Sequence, residues 1–244
     1  MRCTNQRSPI PPPAAPIDPS YKPKSSIVTV SATDPVDYIL AVIARDGGVI
    51  IKDFVTKEEL TSIDQELKDW NDNQCQQTKT QETRNGDAFH IIPPQTMLVA
   101  GLVGKSDTVV EICQNRLLED IRNSILQDKL SLYREDWVEA VTIDPLLSLS
   151  LSMNIGYGAP RQRLHRDDNI HGMRHPKPRD WTFKDVSQIA CLIAGCDVTR
   201  ENGATMFVPG SHKWEHDTVA SPDEVCFAGE RVQILLGFRK TGSC

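Results

Sequence analysis

The sequence predicts an α+β protein, with a helical first half followed by a small β-sandwich or barrel. Two patterns carry that prediction. In the first half, apolar residues recur at helical spacing between capping signals. After residue 145, short apolar runs are separated by Gly and Pro, the spacing of strands and turns. The 244 residues are 39% hydrophobic and 25% charged, a globular balance in a chain long enough to bury a core. A net charge of −6 argues against a general nucleic-acid binder. No apolar run reaches membrane-span length, and the N-terminus lacks the apolar core of a secretory signal. A soluble, cytoplasmic protein is therefore expected.

Residues 1–26 read as a disordered tail, because Pro9, Pro11, Pro12, Pro13, Pro16, Pro19 and Pro23 remove donors and restrict their neighbours. Residues 27–244 read as one domain. Asp34-Pro35 predicts a helix start, with Asp34 as cap, and Tyr38, Ile39, Val42 and Ile43 form its apolar stripe. Gly47-Gly48 stops that helix, and Val49-Ile50-Ile51 follows as a buried strand. Thr56-Lys57-Glu58-Glu59 is a capping box opening a second helix that runs to about Trp70. Polar residues 71–87 predict a loop, and residues 109–127 a single further helix.

Leu147-Ser148-Leu149-Ser150-Leu151-Ser152-Met153-Asn154-Ile155 alternates with period two, so the leucines are expected to mark the core face of a strand. Residues 163–167, 186–193, 204–208 and 232–236 predict four more strands. The seven cysteines lack zinc or disulfide spacing and read as free thiols.

His165-Arg166-Asp167 is the segment with chemistry in it. On a strand, residues two apart share a side, so one imidazole and one carboxylate can reach a single ion. A further His would complete a two-His-one-carboxylate triad, which leaves positions open on Fe(II). The same three residues also describe an ordinary surface pair. His212 lies at a workable separation for a third ligand. His171 and His175 would suit zinc on a helix, but Gly172 and Pro176 predict a loop there. His90 has no partner pattern and reads as structural.

Tyr157-Gly158-Ala159-Pro160 through His165-Arg166-Asp167-Asp168, followed by Asn202-Gly203-Ala204-Thr205 and Val208-Pro209-Gly210-Ser211-His212-Lys213-Trp214, resembles the phytanoyl-CoA dioxygenase family. The likeness is greatest to fungal natural-product members, and Gly101-Leu102-Val103-Gly104-Lys105-Ser106 adds to it. The resemblance implies a double-stranded β-helix (a jelly-roll, cupin-like barrel) flanked by N-terminal helices. It also implies Fe(II) and 2-oxoglutarate as cofactors. His165 and Asp167 match two iron ligands, while Gln162 and Thr205 match positions that contact 2-oxoglutarate.

The likeness fails near the C-terminus. Ala228-Gly229-Glu230 and Val232-Gln233-Ile234-Leu235-Leu236-Gly237 follow the family, but no His occurs after His216. The second His ligand, the Arg that anchors 2-oxoglutarate and the closing strands are all expected later than this chain runs. A truncated or mis-spliced form, missing its last strands, is the expectation.

By analogy, the substrate is a hydrophobic small molecule of secondary metabolism, oxidised by hydroxylation, desaturation, epoxidation or endoperoxide formation. Phe89, Gln95, Thr96 and Trp181 are candidate substrate contacts, and equally candidate surface or core residues. No membrane or nucleic-acid partner is expected, and the resemblance admits a homodimer. A different class remains open: a catalytically inactive homologue that binds only a small molecule or a protein partner.

Overall fold

The fold is a computed structural model, which describes residues 26–73, 95–156, 158–175, 181–199, 203–228 and 230–240. The Pro-rich segment 1–25, His90 and Phe89 lie outside the described residues. Strands β1 (Thr29–Ser31) and β2 (Ile50–Lys52) pair in parallel around helix α1 (Val36–Asp46). The expected stripe holds: Ile39 and Val42 are buried, whereas Tyr38 is exposed. The expected cap does not. Asp34 Oδ2 accepts from the Ser31 N–H at 2.9 Å, so it closes the preceding turn, and Pro35 occupies the cap position without a side-chain bond. Gly47 ends α1 in the left-handed conformation, with φ of 82°.

Helix α2 (Lys57–Glu66) opens with the expected capping box. Thr56 Oγ1 accepts from the Glu59 N–H at 3.1 Å, and the Glu59 carboxylate accepts from the Thr56 N–H at 2.7 Å. The chain is helical again over 68–73, so the expected loop at 71 starts later; residues 74–87 lie outside the described residues. The helix expected over 109–127 is two helices, α3 (Asp107–Cys113) and α4 (Arg116–Leu126). Asn115 divides them, because its Oδ1 accepts from the Leu117 and Leu118 N–H groups at 2.9 and 3.4 Å and caps α4.

An antiparallel sheet in the order β3-β6-β10-β7 carries these helices. It comprises β3 (Thr96–Ala100), β6 (Leu146–Ile155), β7 (Gln188–Asp197) and β10 (Glu230–Arg239). β4 (Asp128–Tyr133) and β5 (Val138–Ile143) form a separate hairpin, and β8 (Thr205–Phe207) pairs with β9 (Cys226–Ala228). Among the described residues these sheets do not close into a barrel. The strand expected over 163–167 is absent: residues 159–166 have no regular structure, and a 3-10 turn spans Asp167–His171.

The register corrects the expected core face. Ile193, Ile234, Ser152 and Val99 lie directly opposite one another across the sheet, as do Cys191, Leu236 and Ser150. Directly opposed residues share a face. The helices cover the face bearing Val99, Ile193, Leu236 and Phe238, so on β6 it is the serines that point into the main core. Ser150 and Ser152 are small enough to let α-helical side chains approach. A bulge at Gly237/Phe238, where the Ser148 hydroxyl donates to the Gly237 carbonyl at 3.1 Å, then brings Leu147 onto the helix-packed face. Leu149, Leu151 and Met153 occupy the opposite face.

Leu236 and Phe238 are 0% and 1% exposed, and Arg122 lies over the Phe238 ring. The chain thus continues into the core past the point where the family likeness fails. Phe238→Ala is expected to cost about 3–5 kcal/mol in urea denaturation, whereas Tyr133→Ala, at an 83% exposed position, should stay within about 0.5 kcal/mol.

Candidate functional site

The segment leading to the 3-10 turn is irregular, yet it still pairs the predicted donors. Arg166 is extended, with φ −109° and ψ 130°, so its neighbours His165 and Asp167 point to one side. His165 Nε2 lies 3.3 Å from Asp167 Oδ1. Two donors each about 2.1 Å from a first-row metal and at right angles would be separated by about 3 Å. The other ring nitrogen, Nδ1, lies 2.7 Å from the Arg163 carbonyl oxygen. A neutral ring donating there turns its Nε2 lone pair toward Asp167, the tautomer a metal requires. When protonated, the ring donates Nε2–H to the Asp167 carboxylate, and this raises the His165 pKa above its ordinary 6.5, against burial and with help from the Arg163 carbonyl. Both side chains keep solvent access, at 28% and 47% exposure.

The residues between and beside this pair are tied to the body. The Arg166 guanidinium donates to the carbonyls of Ser211 and Trp214 at 2.8 and 3.1 Å. Asp168 is buried, and its Oδ2 accepts from the Ser187 hydroxyl and from His175 Nε2, the latter at 2.7 Å. His175 therefore serves Asp168, and its ring stacks on His216. Residues 172–175 are not helical, so the one-turn spacing of His171 and His175 forms no helical zinc face.

His212 has a different task. The Pro209-Gly210-Ser211-His212 segment folds against the C-terminus of α1. The Gly210 N–H donates to the Asp46 carbonyl at 2.7 Å, and His212 Nε2 reaches the Ala44 carbonyl at 3.3 Å. Both contacts satisfy carbonyls that a helix end leaves open. A Cβ on Gly47 would lie 2.4 Å from His212 Nδ1, so this close approach needs glycine. Trp181 meets the His212 ring edge-on at 4.6 Å. Burial lowers the His212 pKa, and Lys213 and Arg166 lower it further. Among the described residues no three His, Cys, Asp or Glu side chains gather around one point, so His212 does not join His165 and Asp167 as a third donor.

Gln162 is half-buried in the irregular segment before His165. Thr205 opens β8 opposite Ala228 and lines a cleft of about 570 Å³. That cleft lies between β2, α4 and β7, and its walls include Phe54, Ile121, Trp181, Phe183, Phe207 and His212. Neither Gln162 nor the His165–Asp167 pair lines it, although the neighbouring Arg161 guanidinium reaches Met206 Sδ, beside Thr205, at 3.1 Å. Gln95 and Thr96 sit at the sheet edge: the Gln95 carbonyl accepts from Gly156, and Thr96 is buried opposite Ile155. Among the described residues, Trp181 is the one predicted substrate contact that lines the cleft, and Phe89 lies outside the described residues. Arg166 and Asp168, which brace the pair, were not singled out from sequence; their position on either side of Asp167 was the available signal.

The sequence profile described as phytanoyl-CoA dioxygenase (PhyH) matches residues 43–234. The chain belongs to the phytanoyl-CoA dioxygenase family. It is 44% identical over 213 residues to the dioxygenase swnH1 of Arthroderma benhamiae, covering 87% of this chain and 67% of that protein. It is 42% identical over 213 residues to swnH1 of Metarhizium robertsii, with the same coverage. It is 42% identical over 214 residues to swnH2 of Arthroderma benhamiae, covering 87% of this chain and 65% of the relative. The chain thus spans about two thirds of the length of these family members. No helix among the described residues is long and apolar enough to cross a membrane.

The His212 environment generates a pH prediction. Its folded pKa lies below the unfolded 6.5, so its contribution is complete above pH 6.5 and is lost as pH falls through the folded value. The melting temperature of the parent should therefore fall more steeply below pH 6.5 than that of His212→Gln. Parallel curves between pH 8 and pH 5 would contradict the assignment.

Proposed function

We propose that this chain is an Fe(II)- and 2-oxoglutarate-dependent dioxygenase that oxidises a hydrophobic small molecule in secondary-metabolite biosynthesis. The observation that carries this reading is the convergence of His165 Nε2 and Asp167 Oδ1, with His165 Nδ1 committed to a backbone carbonyl. Family membership and relatives named as dioxygenases support the oxygenase class. A double-stranded β-helix barrel, with the four-stranded sheet as one wall, is the matching fold proposal.

The donor set fits a first-row metal at two points: a neutral imidazole nitrogen and a carboxylate oxygen, the ligand types non-haem iron takes. His165 and Asp167 would hold the ion. When bound, Fe(II) with 2-oxoglutarate supplies oxidation by O2, the cosubstrate leaving as succinate and CO2. The chain supplies the rest. Arg163 fixes the His165 tautomer through its carbonyl, and the Gln162 amide and Thr205 hydroxyl are donors suited to a cosubstrate carboxylate. The cleft walls of Trp181, Phe183 and Phe207 are apolar and favour an apolar ligand. Thiols without a disulfide at Cys113, Cys196 and Cys226 suit a reducing compartment such as the cytoplasm.

One observation favours a second reading. Among the described residues no third His or carboxylate joins the pair, which suits a non-catalytic homologue that binds a small molecule in the cleft. Iron binding and succinate release under anaerobic loading followed by O2 separate the two. The first reading predicts stoichiometric iron and succinate, both lost in His165→Ala and in Asp167→Ala. Iron-free, folded protein without succinate would establish the second.

A further inference from the structure

The sequence around the donor pair alternates in role. His165 and Asp167 face one another and solvent, whereas Arg166 and Asp168 turn into the body. Among the described residues, Asp167 has no side-chain hydrogen bond to the body of its own; its geometry follows from its two neighbours. On one side, Arg166 Nη2 donates to both the Ser211 and Trp214 carbonyls, which bracket the turn carrying His212 and Lys213. That turn is itself fixed to α1 through Gly210 and His212. On the other side, Asp168 is 9% exposed and takes hydrogen bonds from Ser187, which directly precedes β7, and from His175. A buried carboxylate is costly unless its donors are well placed, so the position is held for what it orders.

We propose that Arg166 and Asp168 are positioning residues that hold Asp167 against His165, clamping the extended turn between the Ser211–Trp214 segment and the start of β7. The proposal rests on the metal-binding reading of the pair. It assigns to the Ser211–Trp214 segment a second role besides closing α1, as the acceptor platform for Arg166. The same segment places His212 in the wall of the apolar cleft, so Arg166 links the donor pair mechanically to that wall.

The chemistry at each anchor sets how variants behave. Arg166 serves both carbonyls from its terminal Nη2, and a Lys ammonium, with its own three donors on a differently shaped stem, can recover part of that contact. Asp168→Asn keeps an acceptor for Ser187 and His175, whereas Asp168→Ala leaves both donors without it. Supporting groups of this kind around metal ligands are worth roughly 10–100-fold in metal affinity.

The test uses the full 244-residue chain and two readouts. Mn(II) binding is titrated by electron paramagnetic resonance. The His165 tautomer is read in metal-free protein at pH 8 from imidazole 15N shifts. Arg166→Ala and Asp168→Ala are expected to weaken Mn(II) roughly 10–100-fold and to move the His165 tautomer balance toward Nδ1–H, because the Nε2–Asp167 contact loosens while the Nδ1–Arg163 carbonyl contact stays. Arg166→Lys and Asp168→Asn should recover part of both, and Arg134→Ala, on the distant β4–β5 hairpin, should match the parent. Should an alanine variant unfold, the Lys and Asn variants decide. Parent-like Mn(II) affinity and an unchanged tautomer in folded variants would overturn the proposal, even with a lowered melting temperature. A parent that binds no Mn(II) would refute the metal reading, and the tautomer readout then decides the positioning role alone.

Discussion

The fold depends on the placement of β10 in the middle of the sheet. This strand, the last one described, hydrogen-bonds to β6 on one side and β7 on the other. It delivers Leu236 and Phe238 to the core beneath the helices. Without it, β3-β6 and β7 would be separate fragments with open edges and no common apolar face. The long-range pairing of residue 238 with residues 147 and 189 is therefore what converts a helical N-terminal half and scattered strands into one structure.

The donor pair inherits its order from that arrangement. β7 fixes the position of Ser187, which holds Asp168, and the end of α1 fixes the Gly210–His212 turn, which holds Arg166. Two carboxylates one residue apart are thereby given opposite environments. Asp168 is buried and committed to structure, whereas Asp167 is accessible and aligned with an imidazole. The Val-Pro-Gly-Ser-His-Lys-Trp segment, far away in sequence, is a structural clamp in which the histidine is a helix-end donor.

Much of this was legible in the sequence where the cause is local. The Thr56–Glu59 capping box, the glycine stop at Gly47 and the His165–Asp167 pairing all follow from residues a few positions apart. Apart from Asn115, what sequence misread depends on distant partners. The leucines of β6 read as the core face because alternation marks two faces without saying which one the helices cover. That choice is made by β10, some eighty residues later, and by the bulge opposite Gly237. Asn115 read as a helix interior because the apolar period continues across it, although its side chain caps α4. His212 was weighed as a ligand because nothing local shows that the end of α1 meets it.

The central claim is that the chain holds one imidazole nitrogen and one carboxylate oxygen ready for the same metal ion. A crystal structure of the chain grown with Mn(II), with the ion located by its anomalous scattering, tests this most directly. The account predicts one ordered ion bound by His165 Nε2 and an Asp167 oxygen, with Arg166 and Asp168 on their present partners. An ion bound elsewhere, or a well-ordered His165–Asp167 pair that takes none at saturating Mn(II), would contradict it.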